Sequence, residues 1–256
     1  MKKLQIYFLI LCFFIVNSCR KTAAFPSDQL SDYMQLQVGK YITYRLDSLV
    51  FINFGTQDSI ASYLAKDIVD AAIVDNLGRP GWRVIRYISD TTGTSDWTPS
   101  EAYMVIPTRE TLEVIENNLR YQKLKLPIEN GFNWKGNSYI DTRTTYQNSP
   151  GLGSWDFTYL DNWDYTYDSI GKPFTVLSGT VPKTITVHQA NDSTGTPSNI
   201  VDSLISSRTF SEEVYGKGIG LIYKNFLYWQ YQPPNIGTPV GSTTGYGIKL
   251  NMIDHN

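Results

Sequence analysis

Few residues in this chain combine the types and spacing that chemistry requires. Its 256 residues include two histidines, His188 and His255. For His188 to act as a general base it needs a nucleophile and an orienting carboxylate brought close in three dimensions. An ordinary strand histidine is the simpler expectation. No G-x-S-x-G or H-E-x-x-H segment occurs. The acidic run Asp161-Asn-Trp-Asp164-Tyr-Thr-Tyr-Asp168 has oxygens for calcium, or the paired acids of a glycosidase. It does not have EF-hand spacing. Within it, Trp163, Tyr165 and Tyr167 alternate with Asp164, Thr166 and Asp168, the pattern of a strand with one aromatic face and one solvated face. The expectation is a protein without catalysis, metal or cofactor.

Aromatic residues make up 14% of the chain, and exposed rings stack on sugars as well as filling cores. Trp97, Trp155 and Trp229 lie near loops or strand ends and are the candidates for ligand contact. Six triplets place Asp before Ser or Thr and then an apolar residue or Thr, with the hydroxyls on Ser48, Ser59, Thr91, Ser169, Ser193 and Ser203. They resemble the O-glycosylation code of Bacteroidetes, although Asp and Ser also share turns for conformational reasons. Gly216, Gly218 and Gly220 have neither dinucleotide-fold nor P-loop spacing and read as turn and bulge glycines.

These residues follow a leader. Lys2 and Lys3 precede an unbroken apolar run, Ile6 to Val16, and Asn17-Ser18 lead into Cys19. The run is too short to span a bilayer, which takes about 20 residues. Phe14-Ile-Val-Asn-Ser-Cys19 resembles the lipobox of bacterial lipoproteins, which implies cleavage after Ser18 and lipid on Cys19. Cys12 leaves with the leader, so no disulfide framework remains. Loss of Lys2 and Lys3 takes the net charge from −2 to −4, leaving no basic surplus for nucleic acid. Residues 19–35 have little periodicity and read as a lipidated tether, and 36–256 as one domain.

From Val38 onward, β-branched and aromatic runs alternate with turn signals. Strands are expected at 41–46, 49–54, 82–88, 103–107, 111–115, 119–126, 137–146, 157–167, 184–188, 203–213, 220–231 and 246–253, with polar loops at 189–199 and 233–244; within 108–120, Leu112, Ile115 and Leu119 also fit a short helix. Residues 59–77 fit a helix through Ile60, Leu64, Ile68 and Ala71, yet a strand is preferred because Asp75 to Gly78 is a turn signal and a strand follows it. The expected architecture is mostly β, an antiparallel half-barrel or sandwich of many short strands.

Two stretches, Lys123-Leu-Lys-Leu-Pro127 continuing to Gly131-Phe-Asn-Trp-Lys-Gly-Asn137, and Tyr215 to Lys224, resemble segments of uncharacterised Bacteroidetes lipoproteins. They more distantly resemble the curved sheets of LolA/LolB-type half-barrel proteins that hold lipids; Asn225 stands where such proteins often carry an acid. The resemblance implies an envelope protein, at the outer membrane, that binds a lipid-like ligand or an envelope partner. A glycan-binding module using the aromatics is the alternative, and a cryptic hydrolase the third reading.

Overall fold

The computed structural model describes residues 28–142, 158–161, 163–197, 203–237 and 239–256. Twelve strands form one antiparallel sheet. They are β1 (Tyr41–Ile52), β2 (Gln57–Val74), β3 (Pro80–Ser89), β4 (Thr98–Pro107), β5 (Thr111–Glu116) and β6 (Leu119–Lys125), then β7 (Asn133–Lys135), β8 (Asp164–Val176), β9 (Gly179–Thr194), β10 (Ser206–Gly216), β11 (Gly220–Gln232) and β12 (Ser242–His255). Their order is β6-β5-β4-β3-β2-β1-β12-β11-β10-β9-β8-β7, so two six-strand meanders join where β1 pairs with β12. Local sequence sets the hairpins. Asn117 and Asn118 both adopt positive φ, which the two-residue turn between β5 and β6 requires. The carboxylate of Asp75 accepts the amides of Leu77 and Arg79, fixing the turn expected there.

The free edges, β6 and β7, curl toward each other and nearly close a barrel. Gln122 N–H reaches Gly136 O at 2.8 Å, and the Trp134 indole N–H donates to Gln122 O at 2.7 Å. The Tyr167 hydroxyl donates to Lys125 O at 2.8 Å and accepts from Lys125 N at 2.9 Å. Only glycine fits at 136, since a Cβ there would stand 2.5 Å from the Tyr165 ring. The expected curved antiparallel sheet is present, and it curls further than a half-barrel.

Several boundaries differ from expectation. Strands are long, 18 residues in β2 and 16 in β9. Residues 137–142 form turns, the ladder strand being Asn133–Lys135, and 143–146 lie outside the described residues. Thr158–Leu160 is a 3-10 turn, with β8 starting only at Asp164. β8 then runs on through Gly171 and Pro173, which is possible because beyond Tyr167 it is a sheet edge with three bulges, where proline forfeits no ladder bond. The first six residues of the expected loop 189–199 extend β9, because Gln189 turns inward to a polar interior. Folding also begins before residue 36. The 3-10 turn Leu30–Tyr33 buries Leu30 and Tyr33 and plugs one end of the barrel.

Two apolar clusters flank the wall. One fills the plugged end and the seam, around Tyr33, Leu124, Trp134, Tyr165, Tyr167 and Val187. The other includes Val176, Val181, Val214 and Ile222, where the β8–β9 hairpin tip packs back on the sheet and Ser178 N–H bonds to Met252 O.

Candidate functional site

Across the middle of the lumen runs a belt of charge. Lys123 on β6 meets Glu213 on β10 at 2.6 Å, with both side chains nearly excluded from water. Gln189 and Tyr215 also donate to Glu213, at 2.8 and 2.7 Å, and Ser211 donates to Gln189. On the opposite wall Arg86 forms a two-pronged bond with Asp67, 2.7 Å on each arm, and the Tyr103 hydroxyl donates to the same carboxylate. The outer nitrogen of Arg86 reaches Glu101 at 3.3 Å, and Lys224 lies 3.8 Å from Glu116.

The electrostatics follow from burial against partners. Burial opposes ionisation of Glu213, but the charges of Lys123 and Lys224 and the bonds from Lys123 and Tyr215 outweigh it and hold its pKa below the ordinary value. Lys224 likewise holds Glu116 well down. Glu101 goes the other way, because burial and the neighbouring Glu116 charge raise it.

The belt divides the interior. On the plug side is an apolar chamber of about 120 Å³, walled by residues such as Met34, Leu36, Val84, Val105 and Val114. On the far side is a vestibule of about 330 Å³ with Tyr121, Tyr159, Trp163, Tyr165, Phe226 and Tyr246 in its wall. Arg86, Glu116, Lys123 and Lys224 line both. Vestibule rings brace each other: Tyr159 stacks on Tyr228 at 4.2 Å and Phe226 lies 5.0 Å from Tyr246.

The wall has a window. β5 pairs with β4 only over Met104–Pro107, so among the described residues no strand covers 98–103 on that flank. A hollow of about 430 Å³ sits there. Ser100, Glu101 and Asn117 line both this hollow and the vestibule.

The residues singled out in the sequence are scattered. Cys19 and Trp155 lie outside the described residues. Trp97 precedes β4, under the Lys66 ammonium at 4.9 Å, while Trp229 borders a separate outer hollow of about 610 Å³ with Leu49, Phe51 and Tyr231. Neither reaches the lumen. Ser59, Thr91, Ser193 and Ser203 are exposed, and Ser48 and Ser169 half-buried within strands. His188 sits between Glu212 at 3.2 Å and Asp168 at 3.7 Å, half-exposed on β9. In the acidic run, Trp163, Tyr165 and Tyr167 are buried while Asp164 and Asp168 face solvent, as the alternation implies.

Sequence reasoning missed the belt. The two stretches noted above do carry Lys123, Tyr215 and Lys224, but a charged residue in a strand reads as solvated, and nothing local says that it points into a lumen.

No protein-family model matches the chain, and no curated protein matches it. One solved structure, from Bacteroides fragilis NCTC 9343 and assigned as an exported protein with a YmcC-like fold, is similar at 10% identity and a TM-score of 0.37. The match covers 88% of this chain and 98% of that one.

Proposed function

We propose that this is a lipid-anchored, non-catalytic envelope protein whose vestibule binds a saccharide unit. The carrying observation is the vestibule itself, with aromatic faces on its wall and hydrogen-bonding side chains from the belt on its floor. At about 330 Å³ it lies at the lower end of the range of roughly 300–1,000 Å³ for small-molecule sites. Tyr121, Tyr159 and Tyr246 supply stacking surface, and Ser100, Glu101 and Asn117 at the window supply the donors and acceptors that sugar hydroxyls require. Titration of the intact protein in detergent with a panel of mono- and disaccharides, followed by saturation-transfer NMR, tests this. Binding that weakens on Tyr246→Ala, a vestibule ring that is 40% exposed, is expected; a panel without a single binder at millimolar concentration refutes it.

A lipid-like ligand is the second reading, favoured by the apolar chamber. That space is about 120 Å³, well short of roughly 300 Å³, so an acyl chain fits only if the plug leaves. A stoichiometric lipid adduct in native mass spectrometry would put this reading first.

Anchoring rests on the leader and Cys19. Cys19→Ala is expected to give uncleaved or soluble protein, checked by membrane fractionation and the mass of the N-terminal peptide. A variant that matures normally and stays membrane-bound removes the lipid from the account. O-glycosylation at the six triplets belongs to the same proposal, with exposed Ser59, Thr91, Ser193 and Ser203 the accessible acceptors.

A further inference from the structure

Two stretches of this chain are free of charge: residues 48–57 and 225–248 contain no Asp, Glu, Lys, Arg or His, in a sequence that is 18% charged. The sheet brings them together. Val50 pairs with Tyr246 and Gln232 with Ser242, so the β1–β2 tip and the β11–β12 loop stand side by side, at the end of the barrel opposite the plug. Phe54 and Ile236 are fully exposed there, with Val240 and Ile52 also exposed. The uncharged surface continues down the outer wall into the hollow of about 610 Å³ that Leu49, Phe51, Trp229 and Tyr231 border. At the plug end the exposed apolar residues, Val74 and Leu77, flank the ion pair of Asp75 and Arg79 instead.

The β1–β2 tip is built to hold its ring out. Asn53 and Phe54 both adopt positive φ, a conformation that is costly for a bulky side chain. Asn53 Nδ2 donates to Gln57 Oε1 at 2.6 Å and the Thr56 hydroxyl donates to Asn53 O at 2.8 Å, which fixes the turn. Gly55 lies against β12, where a Cβ would stand 2.3 Å from Thr243 O. Neither the strained backbone nor a phenyl ring in water stabilises the fold, and together they point to something outside it.

We propose that this rim enters a phospholipid surface, with Ile52, Phe54, Ile236 and Val240 among the upper acyl chains and Trp229 at the level of the head groups, where Trp is favoured. Separate protruding side chains suit a fluid surface, which closes around each of them; a protein partner would need a pocket for every one. The absence of charge matches zwitterionic head groups. Depth is limited by Asp58, which pairs with Phe51 three residues below the tip. At the rise of a strand that is about 10 Å, the depth of a side chain seated at the boundary of head groups and acyl chains. The proposed tether leaves the barrel at the other end, where Asp28 bonds to Lys217 beside β11. One bilayer takes both the lipid on Cys19 and the rim when the barrel lies on the flank that joins them, β11 and β12.

The experiment is methyl NMR on the intact protein with phosphatidylcholine nanodiscs, with and without a spin label near the top of the acyl chains. The Ile52, Ile236 and Val240 signals are expected to lose roughly half or more of their intensity to the label, while Val74 and Leu77 at the plug end keep theirs. A tether acting alone would bring the plug end to the lipid and give the reverse order. Phe54→Ser combined with Ile236→Ser alters two fully exposed side chains, so the variant should fold normally. In it the loss at Val240 is expected to fall about threefold or more. Equal losses at the two ends, no loss at the rim, or a rim loss unchanged in the variant overturns the inference; a rim that stays in water passes to a protein partner.

Discussion

Lys123 crosses the lumen to Glu213, and 2.6 Å of separation joins two groups that would each be costly to bury alone. Lys123→Met keeps the length of the side chain and removes the charge. Glu213 would keep neutral donors in Gln189 and Tyr215, with the Lys224 charge further off. Urea unfolding should show a loss of about 3–5 kcal/mol, the usual result of stranding a buried ion. Adding Glu213→Gln to the same chain should recover part of it. A loss under about 1 kcal/mol would mean that the pair is hydrated. Such residues were the least legible part of the sequence, and the reason is physical. Alternation separates the two faces of a strand, but it names the inner face only when that face is apolar. Here the middle of the lumen is charged, so Arg86, Glu101, Lys123 and Glu213 carry the same signature as solvated positions. Where the interior is aromatic, as at Trp163, Tyr165 and Tyr167, alternation gave the right faces.

At the scale of elements, the plug depends on a small ionic latch. Lys217 bonds to Asp28 and approaches Asp32 at 3.2 Å; Tyr33 donates to Asp28 at 2.5 Å, and Gly218 N–H meets Asp32 O at 2.6 Å. Burial works against ionisation of Asp28, yet the bonds from Lys217 and Tyr33 outweigh it and lower its pKa. A carboxyl group lowered in this way stabilises the fold above its unfolded value near 3.9, and the contribution is lost as pH falls through the folded value. Hydrogen-exchange protection of residues 28–36 should therefore hold constant from about pH 7 to 5 and drop below about pH 4. Lys217→Ala should flatten that profile. The latch is about one-third exposed, so its whole effect is expected within about 1 kcal/mol, and protection indifferent to both pH and Lys217 would assign the plug to Tyr33 packing alone. The plug escaped the sequence because four residues of 3-10 turn are too few to carry a period. β2 was readable despite its helical spacing because the Asp75 turn and the strand beyond it demanded an antiparallel neighbour. β8 runs past its expected end at Tyr167, since Gly171 and Pro173, which would end a central strand, are tolerated at an edge.

For the molecule as a whole, closure depends on side chains where the ladder stops. Tyr167→Phe leaves two backbone groups of Lys125 without their partner, at about 1–3 kcal/mol. Hydrogen exchange across Leu119–Lys125 should rise while β1 and β12 stay protected. A uniform rise would show that the seam opens only with the rest. The outer wall carries Arg45 with Asp47 and Arg83 with Asp70, half-exposed cations on central strands. A cation on the lipid face of a barrel costs about 2–4 kcal/mol at the bilayer midplane, so this wall belongs in water. The central join, finally, decides the order of assembly. Tyr41 and Asp254, hydrogen-bonded across β1 and β12, are 213 residues apart. Each meander can form as it is made, but β1 emerges first and its partner last. At synthesis rates of about 5–20 residues per second, that edge waits on the order of ten seconds or more. An exposed strand edge held that long invites pairing with another chain, so the first strand must either stay unfolded or be covered by a holder until the last arrives.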